Sequence, residues 1–177
     1  MDTLSIDELI SRISQLRAGE SYLLSGIIYT ARDAAHKRLA QMITADQSLP
    51  FRLENAVIYY CGPCPAAPGQ VIGSCGPTTS SRMDVYTPLM YSQGVKATIG
   101  KGPRAQTVAD ALNAYRAVYL IATGGIGALL SRCVKKMSVV AFEDLGPEAV
   151  YRLEIKDFPV TVAMDSAGGS IFDRSKA

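Results

Sequence analysis

SYLLSGIIYTARDAAHKRLAQMIT, residues 21–44, changes its pattern part-way along. The first nine residues (21–29) are apolar and partly β-branched or aromatic, which predicts a strand. Thr30 followed by Asp33 resembles a capping box, so a helix is predicted from there to about Thr44. A second short strand is predicted at 56–60 (AVIYY), closed by the Gly62-Pro63 turn. Strand, helix and strand in that order are the building unit of an α/β fold.

Working outward, Ser5 and Glu8 form another capping box. Ile6, Leu9, Ile10, Ile13 and Leu16 then recur at helical spacing as far as Gly19, which predicts an N-terminal helix within residues 1–20. Residues 61–79 are dominated by Gly, Pro, Ser and Thr and predict a long shaped loop, a form that usually carries function. A helix is predicted at 79–93, with Met83, Leu89 and Met90 as core candidates. A strand at 97–99 runs into Gly100-Lys101-Gly102, a helix spans about 104–115, and a strand at 117–122 runs into Thr123-Gly124-Gly125. A helix to about Lys136, a strand at 139–142, a helical turn near Glu148 and strands at 153–158 and 160–164 complete the core. Residues 1–177 are read as one compact α/β domain, with a tail at 169–177 expected to fray. Several strands end in glycine-rich turns before helices, which is where α/β proteins place ligands.

With 177 residues, the chain suits a single core. Its apolar fraction of 48% and charged fraction of 19% are ordinary for a globular protein, and a net charge of +2 gives no ground for nucleic acid or a membrane surface as partner. No apolar run reaches membrane-spanning length, since the one near Tyr119 is broken by Gly124, Gly125 and Gly127. The opening Met1-Asp2-Thr3-Leu4 has neither a basic start nor an apolar stretch, so no signal peptide is expected. Four cysteines are too sparse for a disulfide scaffold, which favours a cytoplasmic setting.

Three cations fall at loop–helix junctions: Arg32, Arg82 (after Gly76-Pro77-Thr78-Thr79) and Lys101 between two glycines. Helix starts offer unpaired N–H groups, and arginine adds a two-pronged grip, so a small anionic ligand is expected there. Gly100 and Gly102 would let that ligand approach the backbone. His36 lies four residues after Arg32 on the same helix face, and a lone histidine is more often structural than catalytic. Asp33 reads as a cap and Asp84 as a partner for nearby basic groups. Cys61-Gly62-Pro63-Cys64 spells a thioredoxin active site, but the prolines that follow disfavour the helix such a thiol needs. Cys75 and Cys133 supply no second close pair and there is one histidine, so metal ligation by this chain is not expected. Gly124-Gly125-Ile126-Gly127 is only a fragment of a nucleotide-binding turn, and no acidic residue is placed to receive a ribose.

Five of these segments, in order, carry a resemblance. Thr30-Ala31-Arg32-Asp33-Ala34-Ala35-His36, the run from Gly73 through Gly-Pro-Thr-Thr-Ser-Ser-Arg-Met-Asp84, Ile99-Gly100-Lys101-Gly102, Ala122-Thr123-Gly124-Gly125 and Phe142-Glu143-Asp144-Leu145-Gly146-Pro147-Glu148-Ala149 resemble the β-type domain of class I fumarases and L-tartrate dehydratases. The resemblance implies a swivelling β/β/α fold that builds half of an active site. The other half would be an α subunit, whose three cysteines hold a [4Fe–4S] cluster with one iron open to polarise the leaving hydroxyl. No such cysteines are matched here, and Cys64 and Cys75 stand where small residues are usual. By the same resemblance Arg32, Arg82 and Lys101, with Thr79, would bind a dicarboxylate. Thr78 would remove a proton, and Asp33, His36, Asp84, Gly100, Gly102 and Arg104 would support the site. Hydration of fumarate to L-malate is expected first, because Thr30-Ala31-Arg32-Asp33 and Lys101-Gly102-Pro103-Arg104 look closer to the fumarase versions of these motifs. L-tartrate dehydration is the alternative. From other classes, a CxxC thiol redox protein and a non-catalytic anion-binding or assembly module stay open. A homodimer or an α2β2 assembly would be usual for the resemblance.

Overall fold

The computed structural model describes residues 1–122 and 127–173. The chain opens not on a helix but on strand β1 (Asp2–Ser5), which pairs in parallel with the first half of β2 (Ser21–Thr30). Between them lies α1 (Ile6–Ser11), followed by a 3-10 turn at Ile13–Gln15. The capping box forms as expected: the Glu8 amide donates to Ser5 Oγ at 3.1 Å, and the Ser5 amide donates to Glu8 Oε2 at 2.7 Å. The second one does not form. Helix α2 (Asp33–Thr44) has Arg32 as its N-cap with no side-chain cap bond. Thr30 Oγ1 instead accepts from the Tyr151 amide at 3.1 Å, which spends the hydroxyl on a neighbouring strand.

After β3 (Val57–Tyr59) the 61–79 stretch has no helix or strand, as expected. The helix expected at 79–93 is two pieces: a 3-10 turn at Ser80–Met83 and α3 (Thr87–Ser92). Pro88 explains the break, because proline lacks the amide a helix interior needs and fits only its first turn. β4 (Ala97–Gly100), α4 (Gln106–Tyr115) and β5 (Val118–Ile121) follow as expected. α5 (Gly127–Cys133) is shorter than its reading, since residues 134–136 already belong to β6 (Val134–Ala141). A 3-10 segment at Glu143–Glu148 leads into β7 (Val150–Met164), one strand of 15 residues where two were expected.

That length gives the sheet its shape. β2, β3, β4 and β5 are parallel neighbours. β7 runs antiparallel to β2 from Ser21↔Thr161 to Tyr29↔Arg152, and it also pairs with β5 through its last residues. The ring β2-β3-β4-β5-β7 therefore closes on itself, while β1 and β6 remain as edges among the described strands. β6 takes residues 150–155 of β7 and β5 takes 161–164, so Pro159 falls in the gap between these two ladders.

Strand residues alternate between two buried faces. Leu24, Ile28, Val57, Tyr59, Ile99, Val118, Leu120, Phe158 and Val162 form one core together with α1 and Leu130. Ile58, Tyr60 and Tyr119 point the other way, beneath buried residues of α2, α3 and α4. Three helices cannot fit inside a five-stranded ring, so the first core fills the ring and the second lies outside it. The start of the tail lies against β7: Ser170 pairs with Met164, and the Ile171 amide donates to the Ala163 carbonyl at 3.0 Å. Residues 174–177 lie outside the described residues. No helix among the described residues is long and apolar enough to cross a membrane.

Candidate active site

Parallel strands β2, β3 and β4 end beside one another, and the segments leaving them carry the expected cations. Arg32 caps α2 directly after β2. Its Nε lies 3.9 Å from Asp33 Oδ2 and 3.3 Å from Glu148 Oε1. Asp33 Oδ2 also pairs with Arg82 Nη2 at 3.1 Å, so one carboxylate bridges the two arginines. Asp33 is thus the first residue of α2 and an ion partner, not the cap it was read as. Arg82 Nη2 donates to Thr78 Oγ1 at 2.6 Å, which brings the expected proton acceptor into the same group. The Thr78 amide is anchored on the Tyr60 carbonyl at 2.7 Å.

Lys101 joins this group through the backbone. It pairs with Thr79, the Ser80 amide donates to its carbonyl at 3.0 Å, and its own amide donates to Ser80 Oγ at 3.0 Å. Lys101 is exposed, with no ion pair among the described residues. The flanking glycines do different jobs. A Cβ on Gly100 would overlap Ser80 Oγ and sit 2.9 Å from Tyr60 Cδ2, so that close approach is taken by the protein rather than left for a ligand. Gly102 has φ +83° and open space around it, a turn conformation that suits glycine.

Arg104 and Asp84 brace the site from beneath. The Arg104 side chain is 0% exposed, which rules it out as a direct ligand group in this conformation. Its Nε donates to Asp84 Oδ1 at 2.6 Å and its Nη2 to Thr87 Oγ1 at 2.7 Å, and the guanidinium lies over the Tyr119 ring at 4.7 Å. Asp84 Oδ2 accepts from the Ala105 amide at 2.7 Å, fixing the start of α4. His36 is buried between Tyr60 and Tyr86, with Nδ1 2.9 Å from the Arg32 carbonyl oxygen. Burial holds it neutral and lowers its pKa to about 4. Nδ1 must then carry the proton, because a carbonyl can only accept.

Residues 2–175 match the family model described as Fumarase C-terminus. The chain belongs to the fumarase C-terminus family. It is 36% identical to fumarate hydratase 2 of Leishmania major over 97% of its own length, and 36% identical to the anaerobic class I fumarate hydratase of Escherichia coli over 94%. It spans only 31% of the length of either protein. It is 41% identical to a chain of Methanocaldococcus jannaschii assigned as L(+)-tartrate dehydratase subunit beta, covering 91% of itself and 86% of that chain.

In this fumarase C-terminus domain the thiols have other surroundings than a redox pair needs. All four cysteines are free. Cys61 is buried, and burial pushes its thiol well above the ordinary range; burial likewise pushes Cys75 up to about 12. No helix starts after Cys64, as a redox CxxC requires. Among the described residues no three His, Cys, Asp or Glu side chains stand close enough to hold a metal ion, so the donor set here does not fit an iron–sulfur cluster. The Gly124-Gly125-Ile126 turn falls within 123–126, outside the described residues.

Two contributors were not singled out from the sequence. Glu148 reaches Arg32 from the far end of the chain, and no local spacing signals that contact. Gly62 lies so close to Arg32 that a Cβ there would come within 2.9 Å of Cδ and Nη1. Its place in a CxxC drew attention to the cysteines instead.

Proposed function

We propose that this domain is the β-type half of a hydro-lyase that interconverts fumarate and L-malate, paired with an α subunit that holds a [4Fe–4S] cluster. The observation that carries the reading is Arg82 Nη2, which donates to Thr78 Oγ1 at 2.6 Å while sharing Asp33 with Arg32. In this reading Arg32, Arg82 and Lys101, with Thr79, receive the two carboxylates. Thr78, its own proton first given up to solvent, accepts as the alkoxide the proton from the carbon beside one of them and returns to the neutral hydroxyl. The electron pair left behind spreads into that carboxylate, where fixed cations stabilise it. The Arg82 guanidinium on Thr78 Oγ1 favours negative charge on that oxygen, which a bare hydroxyl needs in order to act as a base. The departing hydroxyl falls to the α subunit, since the described residues of this chain offer no metal ligand set. Half-open side chains at Arg82 (46% exposed) and Arg32 (26%) suit a site that a second subunit completes. A swivelling β/β/α arrangement, a cytoplasmic setting and an assembly such as a homodimer or α2β2 belong to the same proposal.

L-tartrate is the second substrate reading, favoured by the M. jannaschii relative of which the chain covers 86%. The same cations would serve it. Co-expression with the α subunit, purification without oxygen and parallel assays of malate, fumarate and tartrate decide between them. Turnover of malate and fumarate only with both subunits present is the expected result. Preference for tartrate would replace the substrate and keep the chemistry. An intact complex inert towards all three would sink the reading.

A further inference from the structure

Arg32 is held from three sides. Glu148 Oε1 lies 3.3 Å from its Nε, an ion pair without the alignment of a hydrogen bond. Gly62 leaves the room its Cδ and Nη1 occupy, since each lies 2.9 Å from where a Cβ would stand. Its carbonyl receives both the backbone amide and Nδ1 of His36, each at 2.9 Å. Glu148 is itself placed with care. The Glu143–Glu148 segment is bound to α2 by a two-pronged Arg38–Asp144 pair, at 2.7 and 2.5 Å, and to β7 by the Tyr151 hydroxyl donating to the Gly146 carbonyl at 2.9 Å. Arg32 and Glu148 side chains are 26% and 29% exposed, so their pairing is partly shielded from solvent screening. Among the described residues the Arg32 guanidinium makes no hydrogen bond.

From this geometry we infer that Glu148 is a positioning residue: its charge beside the Nε edge of Arg32 holds the guanidinium so that the terminal nitrogens face a substrate carboxylate. The inference rests on the hydro-lyase reading. It carries an unusual signature, because Glu148 also sets a negative charge beside a site for a dianion. Losing that charge favours binding of the dianion in the ground state, while losing the orientation of Arg32 harms the transition state. Turnover and binding should therefore move in opposite senses, or binding should not move at all.

The test compares Glu148→Gln and Glu148→Ala with the unaltered chain, each in the anaerobic complex with its α subunit. The readouts are kcat, KM for malate and melting temperature. We expect kcat to fall by about ten- to a hundredfold, with KM unchanged or lowered and melting unchanged. A kcat within about twofold of the unaltered complex would overturn the inference. So would a raised KM with kcat retained, which is direct substrate binding. A loss of kcat accompanied by a lowered melting temperature or a lost complex would also overturn it, by making Glu148 a structural strut. If the unaltered complex turns over none of the three acids, the hydro-lyase reading itself fails and this inference falls with it.

Discussion

Arg82 couples two groups, Thr78 and Asp33, through one nitrogen, and that coupling makes its chemistry hard to replace. Lysine keeps the charge but lacks the planar fork, whose other nitrogens stay free for a carboxylate while one holds Thr78 and Asp33. Arg82→Lys and Thr78→Val are each expected to lower kcat by about a hundredfold or more while the complex still assembles, and Thr78→Ser is expected to recover part of it. Size-exclusion chromatography beside the malate assay checks both halves of that statement. His36 supplies a pH effect of known sign. Its folded pKa of about 4 lies below its unfolded value near 6.5, so its contribution to stability is complete above pH 6.5 and lost as pH falls towards 4. Over that window the loss amounts to about 3 kcal/mol. Urea unfolding at pH 7 and pH 4.5 should show a smaller acid loss in His36→Gln than in the unaltered chain. An equal loss in both would refute the assignment. Arg32, Arg82 and Lys101 drew attention in the sequence as cations at loop–helix junctions and Thr78 only through the family resemblance; the structure links Arg32, Arg82 and Thr78 by way of Asp33. Glu148 was not legible there, because an ion pair across the fold leaves no trace in spacing.

Elements were legible where one period ran long enough to dominate its window. β2, α2 and α4 are such cases. β1 failed because its four residues bury only Leu4, too little for a pattern. The 79–93 stretch failed in a readable way: Pro88 marked the restart of the helix, and its apolar neighbours masked it. β7 was divided at Pro159 although the strand continues, because the ladder gap that tolerates a proline is a property of the closed ring. At this scale Gly100 and Gly102 make a paired test. Gly100→Ala must push Ser80 away, and with it the turn that carries Arg82; a stability cost of about 1–3 kcal/mol and a marked loss of turnover are expected. Gly102→Ala meets open space and only an unfavourable backbone angle, so a cost of about 1 kcal/mol is expected without displacement of Ser80. Denaturant unfolding and the malate assay, run on both variants, would reject this account if the two behaved alike.

At the scale of the molecule, α/β alternation predicted the class, but not the closure of the sheet. Closure depends on one antiparallel strand long enough to border β2 along one side and both β5 and β6 along the other. Among the described residues it also leaves two strands, β1 and β6, whose outer edges pair with no other strand. β1 is only four residues long, too short to recruit another chain. β6 is twice that length and carries exposed Lys135 and Lys136, with Lys136 Nζ 3.4 Å from Glu154 Oε2. Lysines on a bare edge deter strand addition, since stacking a second copy would set like charges together. Replacing both, as Lys135→Val with Lys136→Val, should leave the site untouched and yield a protein that self-associates as its concentration rises. Light scattering across a dilution series would register it, and unchanged monodispersity would refute it. Two lysines on one edge strand would then decide how densely this domain can be held in solution before it begins to polymerise.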